Sequence, residues 1–207
     1  MIERYTLKER LCHWLTGLSY LYCLTSGLAL YTPYLFWMVY PLGGGPTARF
    51  WHPFIGMLFF VAAMWMHSIW RSDIQVTKTD REWLDKVEDY ATNRDELLPP
   101  QGRFNAGQKL FYWAMFYGAF LLIVSGLFMW FPEYVPFNLR WIRPIAVILH
   151  EGAALITIGA FIIHIYMGIF MVPGSMTAMI RGWVTTDWAR THHRLWYRRI
   201  TGQGPNA

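Results

Sequence analysis

Four long runs without a charged residue constrain the fold more than any other feature of this sequence. They cover residues 11–48, 50–70, 110–132 and 152–180, and the shortest has 21 residues. The hydrocarbon core of a bilayer is about 30 Å thick, and about 20 apolar residues of α-helix can cross it. Charged residues make up only 15% of the chain, against about 25% in ordinary soluble domains. The sequence therefore predicts an all-α membrane protein.

We predict a single domain over residues 1–207 that contains one bundle of four transmembrane helices. The four helices are expected near residues 11–32, 52–70, 108–131 and 146–171. The 32–51 connection, rich in aromatic residues, Pro and Gly, is expected to form an interfacial belt and turn. Residues 71–107 form a polar connection in which 80–90 resembles one short amphipathic surface helix. The tail, residues 173–207, contains both Trp and Arg, which is typical of a segment that lies along the membrane–water interface.

The distribution of basic residues predicts the orientation of the bundle. Of the 18 Lys and Arg residues, fifteen lie in the N-terminal segment, the 71–109 connection and the tail. The other two loops hold only Arg49, Arg140 and Arg143. Cytoplasmic loops of membrane proteins carry the excess of Lys and Arg, so we expect both termini and the long connection in the cytoplasm. The first apolar stretch is too long for a cleavable signal and has no A-x-A site.

The two cysteines exclude several kinds of site. Cys12 and Cys23 are too few for an iron–sulfur cluster, and their spacing matches neither a zinc ribbon nor covalently attached haem. On one helix they would lie roughly 16 Å apart by rise alone, too far for a disulfide. Because the basic residues flank the predicted spans, nucleic acid is not expected as a partner, whereas membrane lipid is.

Histidines recur at the ends of the predicted spans. His150 and His164 are 14 residues apart, so both share one helix face about 21 Å apart, one near each membrane surface. By the predicted topology, His52 begins the second helix at the outer side, with Pro53 in its first turn, and His13 begins the first helix at the inner side. Two pairs follow: His52 with His150 outside, and His13 with His164 inside.

Two axial imidazoles on facing helices are what a non-covalent, six-coordinate haem requires. With both axial positions filled, such a haem transfers electrons and has no open site for substrate. Porphyrin packing also needs small residues beside each ligand, and residues at i and i+4 share a helix face. The residues four positions after the four histidines are all small: Gly17, Gly56, Ala154 and Gly168.

His67 is an alternative to His13, because it is 15 residues from His52 and about 60° off the same face. The residue four positions after His67 is Arg71, whose large side chain leaves no room for a porphyrin. His13 is therefore the better candidate. The tail pair His192 and His193 fits a solvated or partner-facing pair better than a metal site. Glu151 fits an ion pair with Arg49 or Arg143 better than a role beside a haem ligand.

Residues 105–109 open the third helix on the cytoplasmic side. Asn105 followed by Gln108 resembles a helix N-cap with a capping box. The same amides, together with Gly107 and the free helix-start N–H groups, could bind a quinone carbonyl near His164. Both interpretations stay open at this point.

The chain resembles the membrane cytochrome b (gamma) subunit of respiratory formate dehydrogenase over nearly its whole length. The matching motifs are C-H-W at 12–14, H-P-F-I-G at 52–56, F-N-A-G-Q-K at 104–109, L-H at 149–150, I-H-I-Y-M at 163–167 and a tail signature ending in W-A-R-T-H-H-R-L-W-Y at 188–197. His67 and Glu151 depart from the pattern, because non-ionisable residues are expected there.

The resemblance implies a four-helix subunit of the bacterial inner membrane with two b-type haems. His52 and His150 would ligate the outer haem, and His13 and His164 the inner one. A menaquinone or ubiquinone site would lie near Asn105, Gly107, Gln108 and His164. An iron–sulfur subunit would feed electrons to the outer haem from a molybdenum or tungsten catalytic subunit, and the tail would dock the iron–sulfur partner.

Two other functions are compatible with parts of the pattern. The related cytochrome subunit of a nickel–iron hydrogenase, or of a thiosulfate or polysulfide reductase, would have the same haem ligands, and no residue here is expected to act on formate itself. A transporter or metal carrier could also use membrane histidines, but no inverted repeat is evident in the sequence to support it.

Overall fold

The computed structural model describes residues 1–92 and 94–202, which are mostly helical. The α-helices are α1 (Leu7–Tyr31), α2 (Gly45–Trp70), α3 (Lys78–Leu84), α4 (Val87–Ala91), α5 (Ala106–Trp130), α6 (Ile142–Tyr166), α7 (Ser175–Arg181), α8 (Thr186–His192) and α9 (Arg194–Thr201). Short 3₁₀ helices cover Pro33–Leu42, Asp95–Leu97, Pro132–Tyr134 and Phe137–Leu139, and a π-helical turn, Met167–Met171, follows α6. Two short strands, β1 (Ile2–Glu3) and β2 (Trp183–Val184), pair antiparallel.

Three helices are long and apolar enough to cross a membrane: α2, α5 and the continuous stretch Ile142–Met171. α1 has the length, 25 residues, but is the least apolar of the four long helices. Its first turn is charged, with Lys8, Glu9 and Arg10, and small hydroxyl residues interrupt its apolar positions. The structure thus confirms a predominantly helical protein, with three helices long and apolar enough to span a membrane.

The described chain forms two compact units. The bundle unit comprises Leu11–His67 and Ala114–Ala160. The terminal unit comprises the described residues of Met1–Arg10, Ser68–Trp113 and Phe161–Ala207.

Small side chains predominate in the interior of the bundle unit, although Tyr20 and Phe59 are buried too, and many large apolar side chains face outward. Its most buried residues, at most 9% exposed, include Ala29, Ala48, Ala62, Ala63, Ala119, Ala146 and Ala153. On the outside of α6, Leu155 and Ile156 are 57% and 68% exposed. Lipid tails are as apolar as leucine, so helices in a bilayer associate through close packing of small residues and leave large apolar side chains to the lipid. The packing of this unit is therefore the packing expected of helices that are surrounded by lipid.

A very close helix approach in the bundle unit joins α5 to α6 at Gly118. A Cβ atom added there would lie 2.4 Å from Cγ2 of Thr157, a residue that is 1% exposed. Thr157 also donates its hydroxyl to the carbonyl of Ala154, so its side chain is held in place. Only glycine fits position 118 without a shift of one helix.

Substitution of Gly118 by Ala is expected to destabilise the bundle unit by about 1–3 kcal/mol, the usual cost of overpacking a filled core. Thermal unfolding of the detergent-solubilised protein measures this effect. Gly159→Ala, on α6, is the matched control, because a Cβ there meets nothing within 4 Å. Its expected effect is neutral to slightly stabilising, since Ala is the better helix former. Equal stability of the two variants would contradict this account of the packing.

The N-terminus and the tail meet in the terminal unit through the two-stranded sheet. Ile2 is paired with Val184 and Glu3 with Trp183. The Gly182 carbonyl then accepts hydrogen bonds from the N–H groups of Arg4 and Tyr5. Gly182 has φ +90°, and a Cβ there would lie 2.8 Å from the Tyr5 carbonyl, so the turn into β2 requires glycine.

A buried cation lies beside this sheet. Arg4 is 2% exposed, and its guanidinium lies over the ring of Trp196, 4.6 Å from the centroid. Its Nη2 is 3.1 Å from Nε2 of His193, whose Nδ1 is 2.8 Å from the carbonyl of Gly102. Since the guanidinium can only donate, His193 is neutral with its proton on Nδ1. Burial and the neighbouring Arg4 charge lower the pKa of His193 well below its usual value.

A second polar cluster in the terminal unit centres on Glu9, which precedes the charge-free part of α1. Its carboxylate accepts hydrogen bonds from the Thr6 N–H, the Trp70 indole and the Arg103 guanidinium, the last at 2.6 Å. Burial alone would raise the pKa of Glu9, but these donors and the Arg103 charge hold it below its usual value. Arg103 also pairs with Asp73 at 3.1 Å. The cluster joins the start of α1, the end of α2 and the connection before α5.

The terminal unit is expected to lose stability as the pH falls below about 6.5. Unfolded His193 takes up a proton near its ordinary pKa of 6.5, whereas the folded chain keeps it neutral to lower pH. The unfolded state therefore binds more protons, and stability present above pH 6.5 is lost on acidification. Glu9 contributes a similar loss only as the pH falls below 4.5, the ordinary value of its pKa.

Hydrogen exchange of the tail, corrected for the intrinsic rate at each pH, measures this loss. One pH unit below 6.5 corresponds to at most about 1.4 kcal/mol, or about tenfold faster exchange. His193→Asn, which keeps a donor near Gly102 and cannot titrate, should show little pH dependence between about pH 7.5 and about pH 5.5. An equal dependence in both proteins would exclude His193 as the cause.

Several predicted boundaries were wrong. α2 begins at Gly45, because Gly43 and Gly44, both at positive φ, end the preceding 3₁₀ helix and Pro46 fits the first helical turn. His52 therefore lies in the third turn of α2, and Pro53 is inside the helix. Most of the 32–51 connection is thus helical. Likewise, α1 begins at Leu7, so His13 lies in its second turn.

The polar connection and the tail also differ from prediction. The single helix expected over 80–90 is two short helices, α3 and α4, separated at Asp85 and Lys86. α3 begins two residues earlier, at Lys78, because Thr77 and Asp80 form a capping box. The tail contains β2 in addition to three short helices, so the fold includes a minimal sheet that the sequence did not predict.

Candidate functional site

His52 on α2 and His150 on α6 lie together in the bundle unit. Their ring centroids are 6.3 Å apart, and the ring planes are at 61°. Both side chains are half-buried among apolar helices. Ionisable side chains are rare inside apolar helices, and such positions are candidates for a functional site.

The separation of the two rings fits a shared metal centre. An imidazole nitrogen binds a first-row metal ion at about 2 Å, and the ring centre lies about 1 Å further away. Two imidazoles on opposite sides of one metal ion therefore have centroids about 6 Å apart, in agreement with the observed 6.3 Å. Within residues 1–92 and 94–202, no group of three or more His, Cys, Asp or Glu could hold a metal ion. A two-histidine centre needs further ligands from outside the side chains, as a porphyrin supplies to its iron.

Each of these histidines is held by a serine from a neighbouring helix. Ser26 Oγ, on α1, lies 2.8 Å from Nδ1 of His52. Ser125 Oγ, on α5, lies 3.0 Å from Nδ1 of His150. In both cases Nδ1 is occupied by a hydrogen bond, which leaves Nε2 as the nitrogen for a metal ion.

A glycine follows each serine and makes room for the imidazole. A Cβ on Gly27 would lie 3.4 Å from Cε1 of His52, and one on Gly126 would lie 3.3 Å from Cε1 of His150. The two helices α1 and α5 thus present the same Ser-Gly surface to a histidine. The imidazole lies against glycine while its Nδ1 reaches the serine hydroxyl.

Sequence reasoning missed these two serines and two glycines. The available signal was the dipeptide Ser-Gly, followed by Leu, at residues 26–28 and again at 125–127 inside apolar helices. The small residues predicted from the sequence all lie on the histidines' own helices. Among them, a Cβ added at Gly17 or Gly168 would meet nothing within 4 Å, and one at Gly56 would lie 4.0 Å from Cys23 Sγ. These three glycines do leave open or loosely filled surface.

The remaining membrane histidines have aromatic neighbours. In the bundle unit, the His13 ring lies edge-on to Trp14 at 5.7 Å, and His67 stacks on Phe116 at 4.5 Å. In the terminal unit, His164 stacks almost parallel on Phe111, with ring centroids 4.3 Å apart and planes at 4°. Each imidazole is therefore oriented by a ring contact.

The predicted quinone-binding residues form a helix cap in the terminal unit. Asn105 Oδ1 accepts a hydrogen bond from the Gln108 N–H at 2.9 Å, and Gln108 Oε1 accepts one from the Asn105 N–H at 3.0 Å. This reciprocal pair is a capping box at the start of α5. A Cβ on the intervening Gly107 would lie 3.4 Å from the ring of Trp83. The cap uses the amide oxygens and leaves the amide NH₂ groups as donors.

A buried ion pair fixes the same end of α5. Lys109 Nζ lies 2.7 Å from Asp80 Oδ2 and donates to the carbonyl of Gln75 at 2.9 Å. Lys109 is 6% and Asp80 2% exposed. Because Asp80 also caps α3, this pair ties the start of α5 to the polar connection.

Two expectations for ionisable residues differ from the structure. His193 is 1% exposed and belongs to the Arg4 cluster, so the tail histidines are not a solvated pair. The aromatic rings of Trp188 and Trp196 pack around it, which the polar composition of the tail concealed. In the described parts of the chain, no ion pair joins Glu151 to Arg49 or Arg143.

Apolar helices that pack through small residues and bring two imidazoles within 6.3 Å of each other are typical of helical membrane proteins that hold a histidine-ligated group. Residues 4–182 match the family model described as "Prokaryotic cytochrome b561". The chain belongs to this cytochrome b family, and the match implies that it binds haem b.

Three similar proteins support the same assignment. The chain is 36% identical over 201 residues to the formate dehydrogenase cytochrome b556(fdo) subunit of Escherichia coli K12, covering 96% of this chain and 93% of that protein. It is 32% identical to the nitrate-inducible formate dehydrogenase cytochrome b556(Fdn) subunit of the same organism, covering 97% and 92%. It is also 32% identical to the formate dehydrogenase cytochrome b556 subunit of Haemophilus influenzae, covering 95% and 82%.

Proposed function

We propose that this chain is the membrane anchor and electron-transfer subunit of a formate dehydrogenase-like complex. The observation that carries the proposal is the pair of His52 and His150, 6.3 Å apart, each with Nδ1 engaged and Nε2 left for a metal ion. The family match and the names of the relatives support the same role.

The proposed topology has four membrane spans, in α2, α5, α6 and the charge-free part of α1, with both termini in the cytoplasm. Three of these helices meet the length and apolarity that spanning requires, and α1 has the length. The excess of Lys and Arg in the N-terminal segment, the 71–109 connection and the tail supports the orientation. The expected location is the bacterial inner membrane.

Two b-type haems are the proposed cofactors. His52 and His150 would ligate the outer haem, and His13 and His164 the inner one, with His67 as the alternative to His13. When bound, the haems supply one-electron transfer from an iron–sulfur partner subunit towards quinone. The protein's part is to hold each imidazole in a fixed orientation inside an apolar bundle.

A quinone, menaquinone or ubiquinone, is the proposed electron acceptor at the start of α5. Asn105 and Gln108 cap the helix with their amide oxygens, so their NH₂ groups can serve as donors. Such donors suit a quinone carbonyl, which only accepts. Gly107 lies against the ring of Trp83, and its backbone N–H belongs to the first turn of α5, where the N–H groups have no helical partner. Phe111, about one turn further on, stacks on His164 in the same unit. The catalytic molybdenum or tungsten subunit would reach this chain through the iron–sulfur partner, which the tail would dock.

The haem assignment predicts that His150→Ala removes one of two haems and abolishes quinone reduction in the complex. Pyridine haemochrome assays on the purified variant count the haems. His192→Ala, a tail histidine, is the control and should keep both. Two haems in His150→Ala would exclude the assignment. His13→Ala and His67→Ala, compared in the same way, identify which of the two ligates the inner haem.

The quinone assignment predicts that Asn105→Asp and Gln108→Glu raise KM for quinone about 2–10-fold with unchanged haem content. Each variant keeps the capping oxygen and loses the NH₂ donor, and one hydrogen bond contributes about 0.5–1.5 kcal/mol. Asp is as good an N-cap as Asn, so thermal stability should not fall. The measurement is steady-state kinetics of the complex with a soluble quinone analogue. Unchanged KM with intact stability would assign these residues to the helix cap alone.

A further inference from the structure

We propose that Ser26 and Ser125 are positioning residues that fix the tautomer and strengthen the electron donation of His52 and His150 as haem ligands. The inference rests on the proposed function, because it assumes that these two imidazoles bind the outer haem. It adds a hydroxyl contact on Nδ1 of each ligand that neither the motifs nor the family match assigns.

The direction of each hydrogen bond follows from the surroundings of the serine. Ser26 Oγ lies 2.7 Å from the carbonyl oxygen of Tyr22, and Ser125 Oγ lies 2.5 Å from that of Leu121. Two oxygens at these distances repel each other unless a hydrogen lies between them, and a carbonyl has no hydrogen to give. Each serine must therefore donate its single proton to the helix carbonyl four residues earlier.

The imidazole must then be the donor in the second contact. With its proton committed, each serine oxygen can only accept from Nδ1, at 2.8 Å for His52 and 3.0 Å for His150. The proton of each neutral imidazole is thus on Nδ1, and the lone pair is on Nε2. Both rings are held in the tautomer that a metal ion needs before any metal ion arrives.

The same hydrogen bond affects the ligand electronically. A donor hydrogen bond from Nδ1–H increases the electron density at Nε2 and makes the imidazole more basic. A more basic ligand stabilises the oxidised form of a bound iron and lowers its midpoint potential. Ser26 is 0% and Ser125 2% exposed, so neither contact is exchanged with bulk water. His150 also has the backbone of Leu122 as a hydrogen-bond partner, so the loss of Ser125 should have a smaller effect than the loss of Ser26.

The arrangement occurs twice in the bundle unit. On α1, Ser26 and Gly27 contact His52 of α2. On α5, Ser125 and Gly126 contact His150 of α6 in the same way. Each pair is separated from its histidine by a helix-to-helix connection of similar length. Such repetition is difficult to explain by helix packing alone, because packing requires the glycine and not the hydroxyl.

The experiment compares Ser26→Ala and Ser125→Ala with the unchanged complex by haem count, redox titration and electron paramagnetic resonance. We expect a positive shift of the midpoint potential of one haem, a changed low-spin signal of that haem, and haem loss about 10–100-fold faster, as for other lost partners of metal-bound histidine. The second haem should be unaffected. The double variant should shift further than either single variant.

Ser19→Ala is the matched control. Ser19 is on α1, is 5% exposed and donates to the carbonyl of Leu15 four residues earlier, as Ser26 does to Tyr22, but its contacts are with helix carbonyls. It should change neither potential. Ser26→Thr and Ser125→Thr keep the hydroxyl and should restore the original potential. If an alanine variant does not accumulate, Ser→Cys replaces the hydroxyl by a weak acceptor of similar shape and should give the same positive shift.

The outcomes separate this inference from the proposed function. Unchanged potentials and haem-loss rates in the alanine or cysteine variants, with both haems present, would overturn the positioning role and leave the haem assignment intact. Two haems in His52→Ala would overturn the haem assignment itself. A shift that Thr does not restore, or that Ser19→Ala also produces, would assign the effect to packing and overturn the inference.

Discussion

A ring nitrogen of an imidazole inside an apolar helix bundle needs a polar partner, and for two histidines of the bundle unit a serine of a neighbouring helix is that partner. Leaving one such group unpaired costs about 1–3 kcal/mol or more. Ser26 and Ser125 satisfy Nδ1 of His52 and His150. These two contacts fix the axial position of each helix relative to its neighbour. If one helix shifted by one residue, its serine would no longer point towards the histidine.

The small residues of the bundle unit follow from the same requirement. A hydrogen bond of 2.8–3.0 Å between side chains as short as serine and histidine brings the helix backbones close together. Glycine beside each serine and the contact of Gly118 with Thr157 permit that approach. In a bilayer this packing, and not exclusion of water, holds helices together. Large apolar residues are consequently left on the outer surface.

The sequence allowed the four long helices and the proximity of His52 to His150 to be predicted. Runs without charge indicate where a long apolar helix lies, and the helical period indicates which residues share one of its faces. The sequence did not allow the start of α2 to be predicted, since Gly44 and Pro46 lie in a stretch whose composition is typical of a turn. Nor did it predict the serine contacts, because helix rotation about its axis depends on packing between helices. The burial of His193 and the pairing of β1 with β2 depend on contacts between residues nearly two hundred positions apart, which local pattern does not contain.

In the proposed function, the residues at the start of α5 have a structural role and a binding role together. The capping box uses the oxygens of Asn105 and Gln108, and the ion pair of Lys109 with Asp80 fixes the helix end beneath them. Neither interaction uses the amide NH₂ groups. A rigid cap therefore orients two donors at a helix N-terminus, where the helix dipole also favours electron-rich oxygen. Rigidity from the cap is a condition for the proposed quinone contact, since donors fixed before binding lose little entropy when the ligand arrives.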